Sequence, residues 1–143
     1  MATVWPAANG GLGLTSQTAQ RLIDTRQTQR PAAGSITKLQ APAGVSAALV
    51  NITLTGSAGA GYVTADRCSA LTAGEQTKSN GNFATGRTVA NLSVVPVDAD
   101  GSFCIYNSAA VNLIVDIQGT LGAGTGAQFQ PVTPIRKLDT RQH

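Results

Sequence analysis

Charged side chains are scarce in this sequence: they make up 12% of its 143 residues, and aromatic side chains make up only 4%. Hydrophobic residues reach 42%, and a chain with so much apolar content and so little charge is not disordered. A coiled coil or helical bundle would need many Glu, Lys, Arg and Leu at helical spacing, so the composition excludes both. No apolar run approaches the roughly 20 residues of a membrane span. We therefore expect one globular domain with no membrane partner.

Histidine is nearly absent, since the only one is His143 at the end of the chain. A Ser-His-Asp or Cys-His arrangement therefore has no base within the fold. Asp66, Glu75 and Asp116 do not have the spacing of a glycosidase pair. Asp98, Asp100 and Gly101 resemble the opening of a calcium loop, but the remaining ligands are missing, so we predict a plain turn. The sequence predicts no enzyme, no metal site and no cofactor.

The ten basic residues do not cluster, although the net charge is +3 and the pI is near 9.2. A nucleic-acid-binding face needs Lys and Arg gathered together, so we predict no nucleic-acid partner.

There are two cysteines, Cys68 and Cys104, each beside a strand-like run. The even count favours a disulfide, and the alternative is two buried thiols. A bridge would indicate an oxidising environment.

Short bursts of Val, Ile and Thr separated by glycine-rich turns indicate strands. In the segment 47–55, Val50, Ile52 and Leu54 alternate with polar residues, a period of two that places the apolar set inward. Further strands are predicted at 20–26, 35–39, 61–66 (as the hairpin partner of 47–55), 79–83, 88–97, 102–107 and 111–119. Pro96 suits a strand end or a sheet edge. About eight one-sided strands predict an all-β fold, an antiparallel two-sheet β-sandwich of jelly-roll kind, with a closed β-barrel as the alternative.

The ends of the chain differ from this middle part. Residues 1–19 have no sustained period and are predicted to form a flexible arm, residues 20–119 the β-sandwich domain, and residues 120–143 a Gly/Pro-rich linker with a strand-like tail. Trp5 beside the stiff Pro6 predicts an anchor in a neighbouring surface, the alternative being a loose tail. The other anchoring residues that we predict in these segments are Leu12, Leu14 and Leu138.

One motif occurs twice. The segment Arg21–Arg26 (RLIDTR) matches Arg136–Arg141 (RKLDTR) at four of six positions. We predict that Asp24 pairs with Arg21 and Arg26, that Asp139 pairs with Arg136 and Arg141, and that these ion pairs are structural. The second copy either starts the next module of a tandem array or packs on a neighbouring subunit as an exchanged strand.

These motifs together resemble a repeat module of secreted and surface proteins of actinobacteria. The resemblance covers about residues 20–119 and rests on RLIDTR, NIT at 51–53, the cysteine after GYVT, SNGNF at 79–83 and FCIY at 103–106. Similar modules occur in virion proteins of phages that infect such bacteria. The resemblance implies little about activity, since such modules accompany both hydrolases and adhesins.

The N-terminal sequence lacks the charged and apolar regions of a secretory signal. Together with a disulfide, this predicts a protein that meets oxidising conditions after host lysis, as a virion does. We expect a non-enzymatic capsid decoration or minor capsid protein that attaches through its terminal arms to the major capsid protein or other virion subunits and forms a homo-oligomer. The alternative is a secreted or cell-surface module that binds cell wall or glycan. The few aromatic residues argue against a strong glycan site and leave weak glycan recognition open.

Overall fold

The computed structural model describes residues 12–123, 127–128 and 137–141. Nearly all regular structure in these residues is β-strand. The strands are β1 (Leu12–Asp24), β2 (Ser35–Gln40), β3 (Ala47–Thr55), β4 (Gly61–Arg67), β5 (Gly81–Phe83), β6 (Val89–Pro96), β7 (Ser102–Asn107), β8 (Asn112–Ala123) and β9 (Ala127–Gln128). Single 3-10 turns lie at Thr25–Gln27 and Cys68–Ala70. Among the described residues there is no helix with the length and apolar character needed to cross a membrane.

The strands form two antiparallel sheets. One has the order β6-β3-β8-β1-β9 and the other has the order β2-β7-β4-β5. Strand β1 therefore pairs with β8, β2 with β7, β3 with β6, and β4 with β5. This nesting of first with last is the connectivity of a jelly roll. The predicted β-sandwich is confirmed, and over the residues that the structure describes the sheets do not close into a barrel.

The core lies between the two sheets and is built as the period-two pattern predicts. Val50, Ile52 and Leu54 of β3 are fully buried, while the alternating Asn51 and Thr53 are half-buried on the outer face. Strand β8 contributes Leu113, Val115 and Ile117, and the opposite sheet contributes Val63, Phe103 and Ile105. Burial of such side chains contributes about 1.5–3 kcal/mol each to folding.

The predicted hairpin of segments 47–55 and 61–66 is wrong. Strand β3 lies between β6 and β8, while β4 lies in the other sheet between β7 and β5. Both edges of β3 are thus occupied, so the glycine-rich segment 56–61 carries the chain across to the second sheet instead of reversing it beside β3.

The sandwich also begins earlier and ends later than the predicted boundaries at residues 20 and 119. Leu12–Ser16 pair with Gly119–Ala123, so residues 12–19 belong to β1 rather than to an arm, and residues 120–123 belong to β8. The register shifts between Ser16 and Gln20, which breaks the sequence period that would have indicated a strand. Gly13 is buried and carries no side chain that could contribute to an alternation.

The predicted disulfide between Cys68 and Cys104 is confirmed. It joins the 3-10 turn after β4 to the middle of β7, and the two Cα atoms lie 4.8 Å apart. A small apolar cluster surrounds it, in which Leu71 and Tyr106 are buried and Tyr62 packs against them. The bridge therefore fastens the long segment after β4 to the sheet.

Candidate functional site

The first copy of the repeated motif forms an ion-pair cluster at the end of β1. The side chain of Arg26 donates from Nε to Oδ1 of Asp24 at 2.9 Å and from Nη2 to Oδ2 at 2.6 Å. The Arg26 backbone N–H also donates to Asp24 Oδ1, at 3.1 Å. Arg21 bridges two carboxylates, since its Nη1 lies 3.2 Å from Asp24 Oδ2 and its Nε bonds Asp116 of β8. The predicted pairing of Asp24 with Arg21 and Arg26 is present, and Asp116 extends it.

This geometry changes the acidity of Asp24. Its carboxylate accepts a two-pronged bond from the Arg26 guanidinium, which lowers the pKa of Asp24 from 3.8 to about 2. The same bond raises the pKa of Arg26. Asp24 is buried whereas Arg21 and Arg26 are exposed, so the cations cover a carboxylate that belongs to the sheet.

Thr25, between the two charged residues, points into the fold. Its Oγ1 accepts from the backbone N–H of Leu113 at 2.9 Å and donates to Oδ1 of Asn112 at 3.1 Å. Thr25 is buried, and both partners lie at the start of β8. The Asp-Thr-Arg segment therefore has an outer ion pair and an inner hydroxyl that fixes it to the sandwich. No sequence pattern indicated Asn112, because 87 residues separate it from Thr25.

The second copy, at the C-terminal end, adopts the same local geometry. Arg141 donates to Asp139 Oδ1 from its backbone N–H at 3.1 Å and from Nε at 2.9 Å, and Nη2 lies 2.8 Å from Oδ2. This pairing raises the pKa of Arg141. Thr140 is exposed here, in contrast to the buried Thr25. The Asp-Thr-Arg turn thus keeps the same internal bonds in both copies, although its threonine is buried only in the first.

The predicted anchoring residues lie partly within the sandwich and partly on the C-terminal segment. Leu12 and Leu14 are half-buried within β1, whereas Leu138 is 79% exposed beside the second Asp-Thr-Arg turn. The predicted positions Trp5, Pro6 and Arg136 lie outside the described residues.

Several polar residues that the sequence did not single out hold the loops. Tyr62 Oη accepts from the backbone N–H of Gln76 at 2.9 Å and lies 3.2 Å from the Gln76 carbonyl oxygen. Lys78 pairs with the buried Asp66. Asn107 is fully buried, and its Nδ2 donates to the carbonyls of Ala32 and Ala109 at 2.7 and 3.1 Å. These contacts fix the loops to the sheets.

The aspartates of the predicted turn at 98–101 are engaged with serines. Asp98 Oδ2 accepts from the backbone N–H of Ser69 at 3.0 Å, and Asp100 Oδ1 accepts from Ser102 N at 2.9 Å and Ser102 Oγ at 2.7 Å. The hydrogen bonds from Ser69 lower the pKa of Asp98, and those from Ser102 lower the pKa of Asp100. The described part of the chain contains no group of three or more His, Cys, Asp or Glu placed to hold a metal ion.

The aromatic residues are mostly interior. Phe83, Phe103 and Tyr106 are buried, and Tyr62 is half-buried with its ring centroid 6.0 Å from that of Tyr106. Within residues 12–123 the surface therefore presents no fully exposed aromatic ring on which a sugar could stack.

Comparison of this chain with protein-family models, with curated proteins and with solved structures finds no match.

Proposed function

We propose that this protein is a non-enzymatic structural module of an extracellular assembly, and that its C-terminal segment attaches it to a neighbouring subunit. The observation that carries the proposal is the repeated Asp-Thr-Arg turn. One copy is built into the sandwich through Thr25, and the other presents the same bidentate pair with an exposed threonine and an exposed Leu138. A segment that forms its turn in advance loses less conformational entropy when it binds.

The spacing of the two copies supports this role. Asp139 follows Asp24 by 115 residues, and Arg141 follows Arg26 by the same number. The same offset places the counterpart of Leu12, the first residue of β1, at Ala127. Strand β9 begins at Ala127. The C-terminal segment therefore starts as a strand and ends in an Asp-Thr-Arg turn at the positions where β1 does. Its first strand, β9, extends the sheet of its own chain beside β1, and we propose that the part ending in the turn reaches a neighbouring sheet.

As the setting we propose a phage virion, in which the protein is a capsid decoration or minor capsid protein bound to the major capsid protein or another virion subunit. The jelly roll is used by many viral capsid domains, which supports this setting by analogy of fold. The disulfide suits an oxidising, extracellular location. A stiff sandwich with attachment segments at its ends fits a part that covers a surface in many copies.

Binding to purified shells tests the proposal. The full chain would be mixed with capsid shells of an actinobacterial phage that lack decoration, and in parallel with purified mycolate-bearing cell walls. We expect co-sedimentation with the shells, and loss of it in the Asp139→Asn/Arg141→Gln chain. Lys137→Gln, which removes the charge of an exposed neighbour that is not part of the Asp139–Arg141 pair, is the control and should bind as the unaltered chain does.

Two outcomes would contradict the proposal. Binding to cell walls but not to shells would transfer the protein to the alternative class of surface module. Shell binding that is unaffected by the Asp139→Asn/Arg141→Gln change would exclude the C-terminal segment as the point of attachment.

A further inference from the structure

Strand β6 is an edge strand whose outer face is apolar and uncovered by any described residue. It lies at the end of the five-stranded sheet opposite β9. Leu92 and Val94, which alternate on its outer face, are 60% and 49% exposed. An edge strand also leaves every second backbone N–H and C=O unpaired, which makes it a template for another strand.

The other three sheet edges carry features that discourage pairing. Strand β1 has a shifted register between Ser16 and Gln20, and β9 covers only its Gly13 and Leu14. Strand β2 carries an exposed lysine, Lys38, and β5 has only three residues. By contrast, β6 pairs with β3 over eight residues without a register shift. Bulges, lysines, prolines and short strands are the usual means of blocking an edge, and of these β6 has only Pro96, at its last position, which removes one backbone donor.

The charges around β6 suit a second copy of the same strand. Residues 88–97 carry no charge, Arg87 precedes them, and Asp98 and Asp100 follow them. In an antiparallel pair of identical strands, the start of each lies beside the end of the other. Arg87 of one copy then faces the acidic turn of the second copy at both ends of the pair. A parallel pair would instead bring like charges together.

We propose that β6 pairs antiparallel with β6 of a second copy, so that two five-stranded sheets join into one continuous sheet. With Leu92 opposite Val94 of the second copy, the apolar outer faces of both copies lie on the same side of the joined sheet. The pairing is isologous, since each copy presents the same surface. It is separate from the proposed attachment through the C-terminal segment and does not depend on it.

Sedimentation equilibrium of the full chain tests this pairing. One ladder of hydrogen bonds and four apolar side chains form a small interface, so we expect a dimer with a dissociation constant on the order of micromolar. Leu92→Lys places a cation in the centre of the contact and should weaken the dimer by about tenfold or more. Val94→Lys should do the same. Ile36→Lys, at the exposed edge strand β2, is the matched control and should leave the dimer unchanged.

The two proposed contacts are separated by measuring Leu92→Lys in the Asp139→Asn/Arg141→Gln chain as well. The β6 dimer should persist in the doubly substituted chain and be lost when Leu92→Lys is added. Arg87→Glu should weaken the dimer, and the unaltered dimer should weaken as salt is added. A chain that remains monomeric at a concentration on the order of 100 µM would overturn the β6 pairing, as would a dimer that Leu92→Lys and Val94→Lys leave intact.

Discussion

Asp24 shows how one residue serves two parts of the fold. Its carboxylate closes the turn with Arg26, and Arg21 links it to Asp116 on the adjacent strand β8. Surface ion pairs as a rule contribute little to the free energy of unfolding, because solvent screens the charges and long side chains lose conformational entropy when they pair. Here the acceptor is buried and the geometry is bidentate, which are the conditions under which such a pair stabilises a fold.

We predict that removing the charge of Asp24 destabilises the protein. Asp24→Asn keeps the shape and one acceptor oxygen but removes the charge that both arginines cover, so we expect the melting temperature to fall by several degrees. Asp139→Asn, the same change in the second copy, where the threonine is exposed instead of bonded into the sandwich, should lower it less. Thermal unfolding followed by circular dichroism measures both. An unchanged melting temperature for Asp24→Asn, combined with lost binding to a partner, would instead make Asp24 a ligand-binding residue.

The lowered pKa of Asp24 makes the stability of the protein depend on pH. The pKa of Asp24 is about 2 in the folded protein against 3.8 without these contacts, so the unfolded chain takes up the proton first as the pH falls. The stability that Asp24 contributes is therefore complete above the unfolded value and is lost as the pH falls from 3.8 through 2. The lowered pKa values of Asp98 and Asp100 act in the same direction. Urea unfolding measured across this range should show the loss, with a smaller slope in Asp24→Asn.

At the scale of elements, the turn between β6 and β7 has a glycine that both its conformation and its neighbours require. Gly101 has a φ of +86°, and a Cβ there would lie 2.8 Å from the carbonyl oxygen of Pro42. The N–H of Ala41 donates to the Gly101 carbonyl at 2.9 Å, so this turn is fastened to the end of β2. The β6–β7 turn therefore cannot shift without disturbing the β2–β3 segment.

Gly101→Ala is accordingly expected to destabilise the protein more than Gly34→Ala does. Gly34 has a φ of +79°, but a Cβ added there would meet no atom within 4 Å, so alanine costs only the backbone strain, about 1 kcal/mol. At Gly101 the steric conflict adds about 1–3 kcal/mol. Denaturant unfolding of the two variants gives the difference. Equal losses in both would show that the Pro42 segment moves aside freely.

The sequence predicted the interior strands well and their connections less well. Residues 48–55 of β3 and residues 115–122 of β8 alternate strictly between buried and half-buried because one face of each strand packs on the core. Strand β1 was predicted to begin at residue 20, eight residues later than it does, because its register shift interrupts the alternation. Whether two neighbouring strands form a hairpin or cross to another sheet depends on which edges are already occupied, and local sequence does not record that.

The residues of the two Asp-Thr-Arg turns were also predictable only in part. The repeat identified Asp24, Arg26, Asp139 and Arg141, since a charged pair two residues apart is visible in the sequence. The role of Thr25 was not, because its partners belong to β8 and come close only through the sheet pairing.

For the whole molecule, the disulfide is the main covalent constraint. It closes a segment of 36 residues, and removing such a bridge costs about 3–4 kcal/mol in the chain-entropy model. We expect the Cys68→Ala/Cys104→Ala chain to fold into the same sandwich, because the main core between the sheets does not include the bridge, but to unfold at a lower denaturant concentration. Reductant should shift the unaltered chain by the same amount and should leave the substituted chain unchanged. A stability that does not respond to reductant would contradict this estimate.

The same bridge has a consequence for proteolysis. Lys78 and Arg87, where trypsin cuts, both lie between Cys68 and Cys104 and are exposed. A chain cleaved at either site keeps its two fragments covalently joined, and β4 and β7 continue to pair beside the bridge. Nicked protein should therefore run as one species on a non-reducing gel and separate into two only after reduction, so a protease that attacks this loop does not by itself release a piece of the sandwich.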